Sequence, residues 1–283
     1  ALPILFTISV GTSLNDQTHF KKFLYNKGSG TDFLGFDNGF RSLKGGINAV
    51  LSPMNNGYDL LNNGLNNDWT VKDRRPLADL SLNMNFSRRW VDSSGRTLAI
   101  LGTVNYSNSY RTYLDMDNNL FGAYDMTHDC SNYLRKSIDD QYNHSVRIGT
   151  MLNFTYIPAS GNSRYEFKNI FNQLGKDRYT YRKGTDAQSD YEESAEYYYQ
   201  SRTTYNGQFT GKHTLGNTDK LDWSAGYSYA NRNMPDRRRY TTVLNEETNQ
   251  LEVENLNEIN REFSRLDEHI LSANKIGRAS CRE

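Results

Sequence analysis

The residue types that could bind a metal ion are concentrated in one short stretch, YDMTHDC, residues 124–130. Asp125, His128, Asp129 and Cys130 all belong to types that ligate metals in proteins. The chain lacks the cysteine pair or HExxH spacing of a zinc site, and aspartate and histidine are common in loops. We therefore predict no metal site and no cofactor. Contact of this stretch with a metal chelate is the alternative.

Catalytic residue types form no recognisable constellation. The paired acids Asp139–Asp140 and Glu192–Glu193 fall in predicted loops, where solvated charge is the simpler interpretation. We find no nucleophile–base arrangement and no glycine-rich phosphate loop. The chain is therefore not predicted to be an enzyme.

Two stretches carry groups suited to an anionic or sugar ligand. MPDRRRYTT (234–242) contains three consecutive arginines, whose forked guanidinium groups suit carboxylate and phosphate. RYTYRK (178–183) combines aromatic rings with cations. Both fall in predicted loops. The candidate ligand-binding residues are Arg237, Arg238, Arg239, Tyr179, Tyr181 and Arg182. The alternatives are pairing with the acidic residues of 246–254 and ordinary loop packing.

The elements that must position these residues are predicted to be strands. In ADLSLNMNFSRRW (78–90) apolar and polar residues alternate strictly, which predicts a strand with one apolar and one polar face. Either a soluble sandwich or a membrane barrel would use such a strand. In all, nine stretches are predicted as strands: 3–12, 18–27, 78–89, 98–110, 144–157, 164–174, 197–213, 221–231 and 263–274.

The bulk composition excludes several classes of protein. The chain has 33 basic and 33 acidic side chains in 283 residues, so net charge gives no argument for a nucleic-acid partner. The mean hydropathy is −0.81, and no run of 18 apolar residues could form a membrane-spanning helix. A membrane-spanning strand needs only about 9–11 residues, of which every second one is apolar. Membrane insertion through strands therefore stays open.

The connections between the predicted strands alternate in length. Short ones cover 14–17, 88–97, 158–163 and 216–220, and long ones cover 28–77, 111–143, 175–196 and 232–262. Long structureless loops are uncommon in compact soluble domains. Tight periplasmic turns alternating with extended outer loops are typical of an outer-membrane barrel.

Several stretches resemble the barrel of TonB-dependent outer-membrane receptors. They are TDFLGFDNGFRSL (31–43), VNYSNSY (104–110), MLNFTYIPASGNSRYEFKNIFNQLGKDR (151–178), QSRTTYNGQFTGKHTL (200–215) and LDWSAGYSYANRNMPDRRR (221–239). The resemblance covers most of residues 1–275. It implies a 22-stranded antiparallel barrel, of which about nine strands are present. It also implies an N-terminal plug and an inner-membrane TonB energy-coupling complex, both outside this chain.

The all-β barrel interpretation assigns the two faces of the strands. The side chains predicted to face outer-membrane lipid are Leu80, Leu82, Met84, Phe86, Leu152 and Phe154. Those predicted to face a water-filled lumen are Asn83, Asn85, Asn105, Arg147, Asn153, Arg202 and Gln208. Tyrosines near predicted strand ends, among them Tyr106, Tyr110 and Tyr197, would lie at the lipid–water boundary. The high strand propensity of tyrosine is an equal explanation for any one of them.

The sequences at the two ends of the chain predict that it is a fragment with a non-native tail. The last eight residues, IGRASCRE (276–283), resemble the translation of a sequencing adapter, with a genuine basic tail as the alternative. The chain starts without methionine, and its opening residues alternate as a strand. We therefore expect a barrel fragment over residues 1–275 and a non-native tail over 276–283.

These observations together predict TonB-dependent transport of a scarce, bulky nutrient through the bacterial outer membrane. A ferric siderophore or similar metal chelate is the expected ligand. A porin-type barrel without a plug is the first alternative, and a surface or soluble glycan-binding β-protein is the second.

Overall fold

The computed structural model describes residues 4–43, 65–216, 219–253 and 259–278. These residues form an all-β protein, whose only helical element is a short 3-10 turn at Asp32–Leu34. The strands are β1 Leu5–Ser13, β2 Phe23–Asn26, β3 Val71–Arg74, β4 Asp79–Val91, β5 Thr97–Asp117, β6 Leu120–Asp125, β7 Cys130–Ile157, β8 Ser163–Asp186, β9 Tyr191–Leu215, β10 Asp219–Asn245, β11 Gln250–Glu252 and β12 Asn260–Arg278. Within these ranges, no helix is long and apolar enough to cross a membrane.

One large antiparallel sheet contains ten of the strands. Its order is β1-β4-β5-β7-β8-β9-β10, after which β10 pairs with both β11 and β12, and β6 pairs with β7. Neighbours in the sheet are thus mostly neighbours in sequence, as in an up-and-down meander. The described strands do not close into a barrel, because β1 and β12 each pair on one side only.

Long strands replace three of the four predicted long loops. The prediction of loops over 111–143, 175–196 and 232–262 is wrong, since β5, β7, β8, β9 and β10 run through most of these residues. For example, β7 and β8 pair continuously from Arg135↔Asp186 to Tyr156↔Tyr165. Alternating apolar residues predict strands, whereas these extensions alternate tyrosines with charged and hydroxyl side chains. The fourth, 28–77, is described only over 28–43 and 65–77.

The register separates the side chains of the sheet into two faces. Directly opposed residues project to the same side of an antiparallel pair. Leu82 lies opposite Val10 on β1 and Tyr106 on β5, and we call the face that they share the apolar face. Asn83 lies opposite Ser9 and Asn105, on what we call the polar face. The strict alternation of residues 78–90 is therefore expressed as two chemically different surfaces.

The apolar face is not the core of the described structure. Leu80, Met84 and Phe86 retain 36–40% of their surface exposed, and Leu152 retains 44%. No second sheet packs on these side chains within the described residues. The described structure is therefore not a β-sandwich, in which the apolar face would be buried against a second sheet.

The buried core lies further along the same face. There Phe23, Tyr142, Tyr179, Ala195 and Tyr197 form a cluster in which each side chain is at most 7% exposed. Phe23 comes from β2, whereas the other four come from the large sheet. We call residues 14–43 and 65–78 the capping segment, because they supply Phe23 and Trp69 to this core and cover the extended ends of β5, β7, β8 and β9. Packing in this part of the protein therefore depends on aromatic rings more than on aliphatic side chains.

Candidate functional site

The polar face carries a groove of about 730 Å³ across β1, β4, β5, β7, β8 and β9. Its polar lining includes Asn83, Asn105, Asn172, Arg147 and Arg202. Four smaller depressions are also lined mainly by side chains of the polar face. This face is therefore the side of the sheet with room for a solute or for another protein segment.

The groove follows from the strand period and from one glycine. Asn105 on β5 lies opposite Gly149 on β7, and Gly149 lies opposite Asn172 on β8. A Cβ atom at Gly149 would lie 3.3 Å from Asn172 Oδ1, which is tighter than ordinary contact. The missing side chain leaves space between the two asparagines, so their amides can reach a bound group.

The seven residues predicted to face a lumen all lie on the polar face. Asn83, Asn105, Arg147 and Arg202 line the groove. Asn153 and Gln208 line two of the smaller depressions. Asn85 is occupied within the sheet, where Thr103 Oγ1 donates to Asn85 Oδ1 at 2.8 Å. The structure thus brings four of the seven together at one site.

The six residues predicted to face lipid all lie on the apolar face. Leu80, Leu82, Met84 and Phe86 alternate along β4. Leu152 and Phe154 share their face, since Phe154 lies opposite Ile100 and Ile100 lies opposite Arg88, two residues from Phe86. Leu82 and Phe154 are half-buried and the other four are exposed, and no polar side chain interrupts this surface between Leu80 and Phe86. The structure describes no partner for this surface.

Three of the predicted ligand-binding residues meet on the polar face, on strands and not in loops. Arg182, Arg237 and Arg239 line one depression together with Glu196. Arg182 donates to both carboxylate oxygens of Asp139 at 2.7 and 2.8 Å, and this contact raises the pKa of Arg182. Arg237 Nε donates to Glu196 at 2.6 Å. Two of the three arginines therefore already have protein carboxylates as partners, and Arg239 is exposed.

The other three predicted ligand-binding residues lie on the opposite face, beneath or beside the capping segment. Tyr179 is part of the buried core, and Tyr181 packs against it. The guanidinium of Arg238 lies 5.0 Å from the ring centres of both Trp69 and Tyr197. Arg238 also donates to Asp68 O at 2.8 Å and to Asn26 Oδ1 at 2.7 Å. Burial lowers the pKa of Arg238, and its contacts hold the capping segment in place.

The six candidate ligand-binding residues therefore do not share one surface of the sheet. Consecutive residues of a strand point to opposite faces, so Arg238 cannot share a surface with Arg237 and Arg239. The same rule separates Tyr181 from Arg182. A loop would not have imposed this alternation.

Asp79 joins the capping segment to the sheet and was not singled out from the sequence. Its carboxylate accepts hydrogen bonds from His19 Nε2 at 3.0 Å, Arg111 Nη1 at 2.6 Å and the Tyr110 backbone at 2.9 Å. Burial raises the pKa of Asp79, but these donors outweigh it and the net pKa is lowered. No local pattern marks this role, because His19 and Arg111 lie far from Asp79 in the sequence.

A second carboxylate, Asp177, lies on β8 beneath the capping segment. Burial raises its pKa to about 6, and the charge of Asp32 acts in the same direction. The charges of Arg41 and Arg74 oppose this increase. Arg41 itself bonds Asp32 and stacks 4.0 Å from the ring centre of Tyr199. With a pKa of about 6, the carboxyl group of Asp177 is expected to gain or lose its proton in mildly acidic solution.

The stretch 124–130 forms the end of β6 and the turn into β7. Asp125 Oδ2 contacts His128 Nδ1 at 2.7 Å, and the Tyr124 hydroxyl donates to Asp129. Cys130 is exposed and has no disulfide partner among the described residues. Nowhere in the described part of the chain do three or more His, Cys, Asp or Glu side chains group in a way that could hold a metal ion.

The chain matches no protein-family model, no curated protein and no solved structure. The resemblance to TonB-dependent receptors is therefore a hypothesis that rests on the sequence stretches named above.

Proposed function

We propose that this chain forms part of the wall of a TonB-dependent outer-membrane receptor that transports a bulky nutrient, with a ferric siderophore or similar chelate as the solute. The observation that carries the proposal is the contrast between the exposed apolar face and the grooved polar face of one sheet. A wall between lipid and water requires this contrast. In this proposal the apolar face contacts lipid and the polar face lines the lumen.

The extent of the apolar surface supports contact with a bilayer. On β5 it runs from Leu98 to Tyr106, nine residues whose apolar-face members are mainly aliphatic. A tilted strand crosses the hydrocarbon core of a bilayer in about 9–11 residues. Exposed apolar surface on this scale marks a membrane or protein contact and is unusual on a soluble monomer.

The remainder of each long strand extends beyond this band. At one end β4–β5 and β7–β8 are joined by short turns at 92–96 and 158–162. At the other end the strands continue by many residues and carry the capping segment. The proposal places the short turns in the periplasm and the extended, capped ends outside the cell. The N-terminal plug and the inner-membrane energy complex are expected partners.

Two other functions predict different measurements. A porin-type barrel would share the two faces but would work without a plug or an energy source. A soluble or surface glycan-binding protein would need the apolar face to be covered by protein. The exposed state of Leu80, Met84 and Phe86 favours lipid over a protein cover within the described residues.

Adjacent cysteine substitutions test the assignment of the faces. In a Cys130→Ser background, Leu82→Cys and Asn83→Cys would each be spin-labelled in outer-membrane vesicles. We expect the label at residue 82 to collide mainly with dissolved oxygen and the label at residue 83 mainly with a water-soluble nickel complex. Equal accessibility at the two positions, or recovery of the full-length protein in the soluble fraction, would overturn the proposal.

A transport assay separates the receptor from a porin. Cells that express the full-length protein would be given radiolabelled iron bound to a siderophore, with and without a proton uncoupler. We expect uptake that the uncoupler abolishes. Uptake that persists after uncoupling would support the porin alternative and contradict TonB dependence.

A further inference from the structure

Three arginines lie in one row across the polar face. Arg147 on β7 lies opposite Leu174 on β8, and Leu174 lies opposite Arg202 on β9. Arg202 in turn lies opposite Arg232 on β10. Since neighbouring strands are about 4.8 Å apart, the backbone positions of Arg147 and Arg202 are separated by about 10 Å, and Arg232 is about 5 Å further.

These arginines are not neutralised by the protein. Arg147, Arg202 and Arg232 are exposed, and none of them forms an ion pair or a hydrogen bond with another described side chain. By contrast, Arg178 and Arg182, on the same face, are paired with Glu196 and Asp139. On β12, the acid Glu268 lies on the same face, opposite Ala230, and makes no ion pair with Arg232. The row is therefore an uncompensated strip of positive charge.

The arrangement is electrostatically unfavourable in the absence of a counter-charge. Like charges placed directly opposite each other destabilise an antiparallel pair, as Arg202 and Arg232 are placed here. An anion bridging the row would remove this repulsion. Guanidinium groups present several donors in a fixed fork that matches carboxylate or phosphate oxygens.

The polar-face residues on either side of the three arginines supply neutral and cationic hydrogen-bond donors. On one side are Asn105, Asn172 and Thr204, which line the groove together with Arg147 and Arg202. On the other side Lys176 lies opposite Gln200, whose buried Nε2 has no hydrogen-bond partner in the described structure. The row thus lies within a surface rich in hydrogen-bond donors.

We infer that Arg147, Arg202 and Arg232 form a binding site for a small solute that carries two or more carboxylate or phosphate groups. The spacing of the row selects anionic groups about 5–10 Å apart, so a singly charged anion gains less from it. The inference rests on the proposed function in taking the polar face as the surface that a transported solute meets. The depression around Arg182, Arg237 and Arg239 is a weaker candidate, since two of its three arginines already have protein carboxylates as partners.

Binding of defined anions to the purified full-length protein tests this inference. Titration calorimetry in detergent would use citrate as the carboxylate probe, tripolyphosphate as the phosphate probe and acetate as the singly charged control. We expect citrate or tripolyphosphate to bind more tightly than acetate, with an affinity that falls as salt is raised. The better of the two probes identifies the anionic group.

Substitutions along the row locate the site. Arg202→Gln and Arg232→Gln should each weaken binding of the better probe by about 10-fold or more, because each removes a charge-assisted contact. Arg89→Gln is the matched control, since Arg89 lies on the same face but roughly 20 Å from the groove along β4. Its binding should equal that of the parent protein.

The outcomes separate this inference from the proposed function. A protein in the outer membrane that binds neither probe, or binds equally after Arg202→Gln and Arg89→Gln, overturns the inference alone. If Arg202→Gln leaves binding unchanged and lowers thermal stability, a carboxylate of the protein itself neutralises the row, and the inference also fails. A soluble protein that binds through Arg202 would retain the inference and reject the membrane proposal.

Discussion

Gly35 of the capping segment packs directly on Gly175 of β8. A Cβ atom built on Gly175 would lie 2.5 Å from Gly35 Cα, a separation that real contacts do not show. Gly35 has a φ of 77°, a left-handed conformation that favours glycine, and its carbonyl accepts from Gln173 Nε2 at 2.5 Å. The capping segment therefore touches the sheet backbone at this point.

Replacement of Gly175 tests this contact. Gly175→Ala should displace the capping segment and destabilise the protein by about 1–3 kcal/mol, because the new methyl group overlaps backbone atoms. Limited proteolysis within residues 14–43 would report the displacement. Gly102→Ala is the control, since a Cβ there meets its nearest atom at an ordinary 3.5 Å. Equal resistance of both variants would show that the contact is not close in solution.

An arginine introduced on the apolar face of β4 should destabilise the protein more than one introduced on the polar face. If the apolar face contacts lipid, Leu82→Arg should destabilise the protein by about 2–4 kcal/mol, the cost of an arginine near the bilayer midplane. Asn83→Arg should cost far less, because that position opens on the aqueous groove. Urea unfolding in lipid vesicles measures both. Equal losses would contradict the assignment of the faces.

Two adjacent arginines of β10 should differ in their effect on stability. Arg238→Ala removes a cation packed between two rings, leaves Asn26 Oδ1 without its donor and removes one of the two donors to Asp68 O, so we expect a loss of roughly 2–4 kcal/mol. Arg239→Ala should change stability by less than about 0.5 kcal/mol, since Arg239 is exposed. Thermal unfolding followed by tryptophan fluorescence would detect the difference, and similar losses would mean that Trp69 does not depend on Arg238.

Asp177 should make the protein less stable as the pH rises, the opposite of what most hydrogen-bonded carboxylates do. Its folded-state pKa of about 6 lies above the ordinary 3.8, so the native state binds the proton more tightly than the unfolded state. The stabilising contribution is fully present below about pH 4 and is lost as the pH rises through 6. Asp177→Asn should therefore stabilise the protein at pH 7 by roughly 2–3 kcal/mol and remove this dependence.

The measurement is chemical unfolding of both proteins between pH 4 and 8. Most carboxylates that accept hydrogen bonds, such as Asp79, act in the opposite direction and lose stability as the pH falls. Comparison of the variant with the parent cancels their contributions. A constant difference across the range would show that Asp177 has an ordinary pKa.

The strand alternation made much of the fold predictable. The alternation of apolar and polar residues at Leu80–Phe86 was enough to define two faces, because the two-residue period of a strand does not depend on its neighbours. The predicted strands 3–12, 78–89, 98–110 and 221–231 all overlap observed strands. Barrel closure is not seen in the described residues and belongs to the proposal.

The extensions of the strands could not be found in the same way. Residues 178–183 alternate tyrosine with arginine and threonine, and their partners on neighbouring strands include tyrosines and acids. Such pairs become favourable only when the neighbouring strand is present. Arg237, Arg238 and Arg239 were grouped by sequence, whereas the strand period assigns the middle one to the other face. The row of Arg147, Arg202 and Arg232 depends on register, which no local pattern specifies.

The position of the capping segment also has a consequence for synthesis. Asn26 is bound by Arg238, which lies 212 residues later in the chain. At about 5–20 residues per second, a ribosome completes the docking surface roughly 10–40 s after the segment emerges. Until then Trp69 lacks its ring contact with Tyr240 on β10. During this interval the apolar side chains of the capping segment stay exposed to solvent, a condition that favours aggregation of unfinished chains.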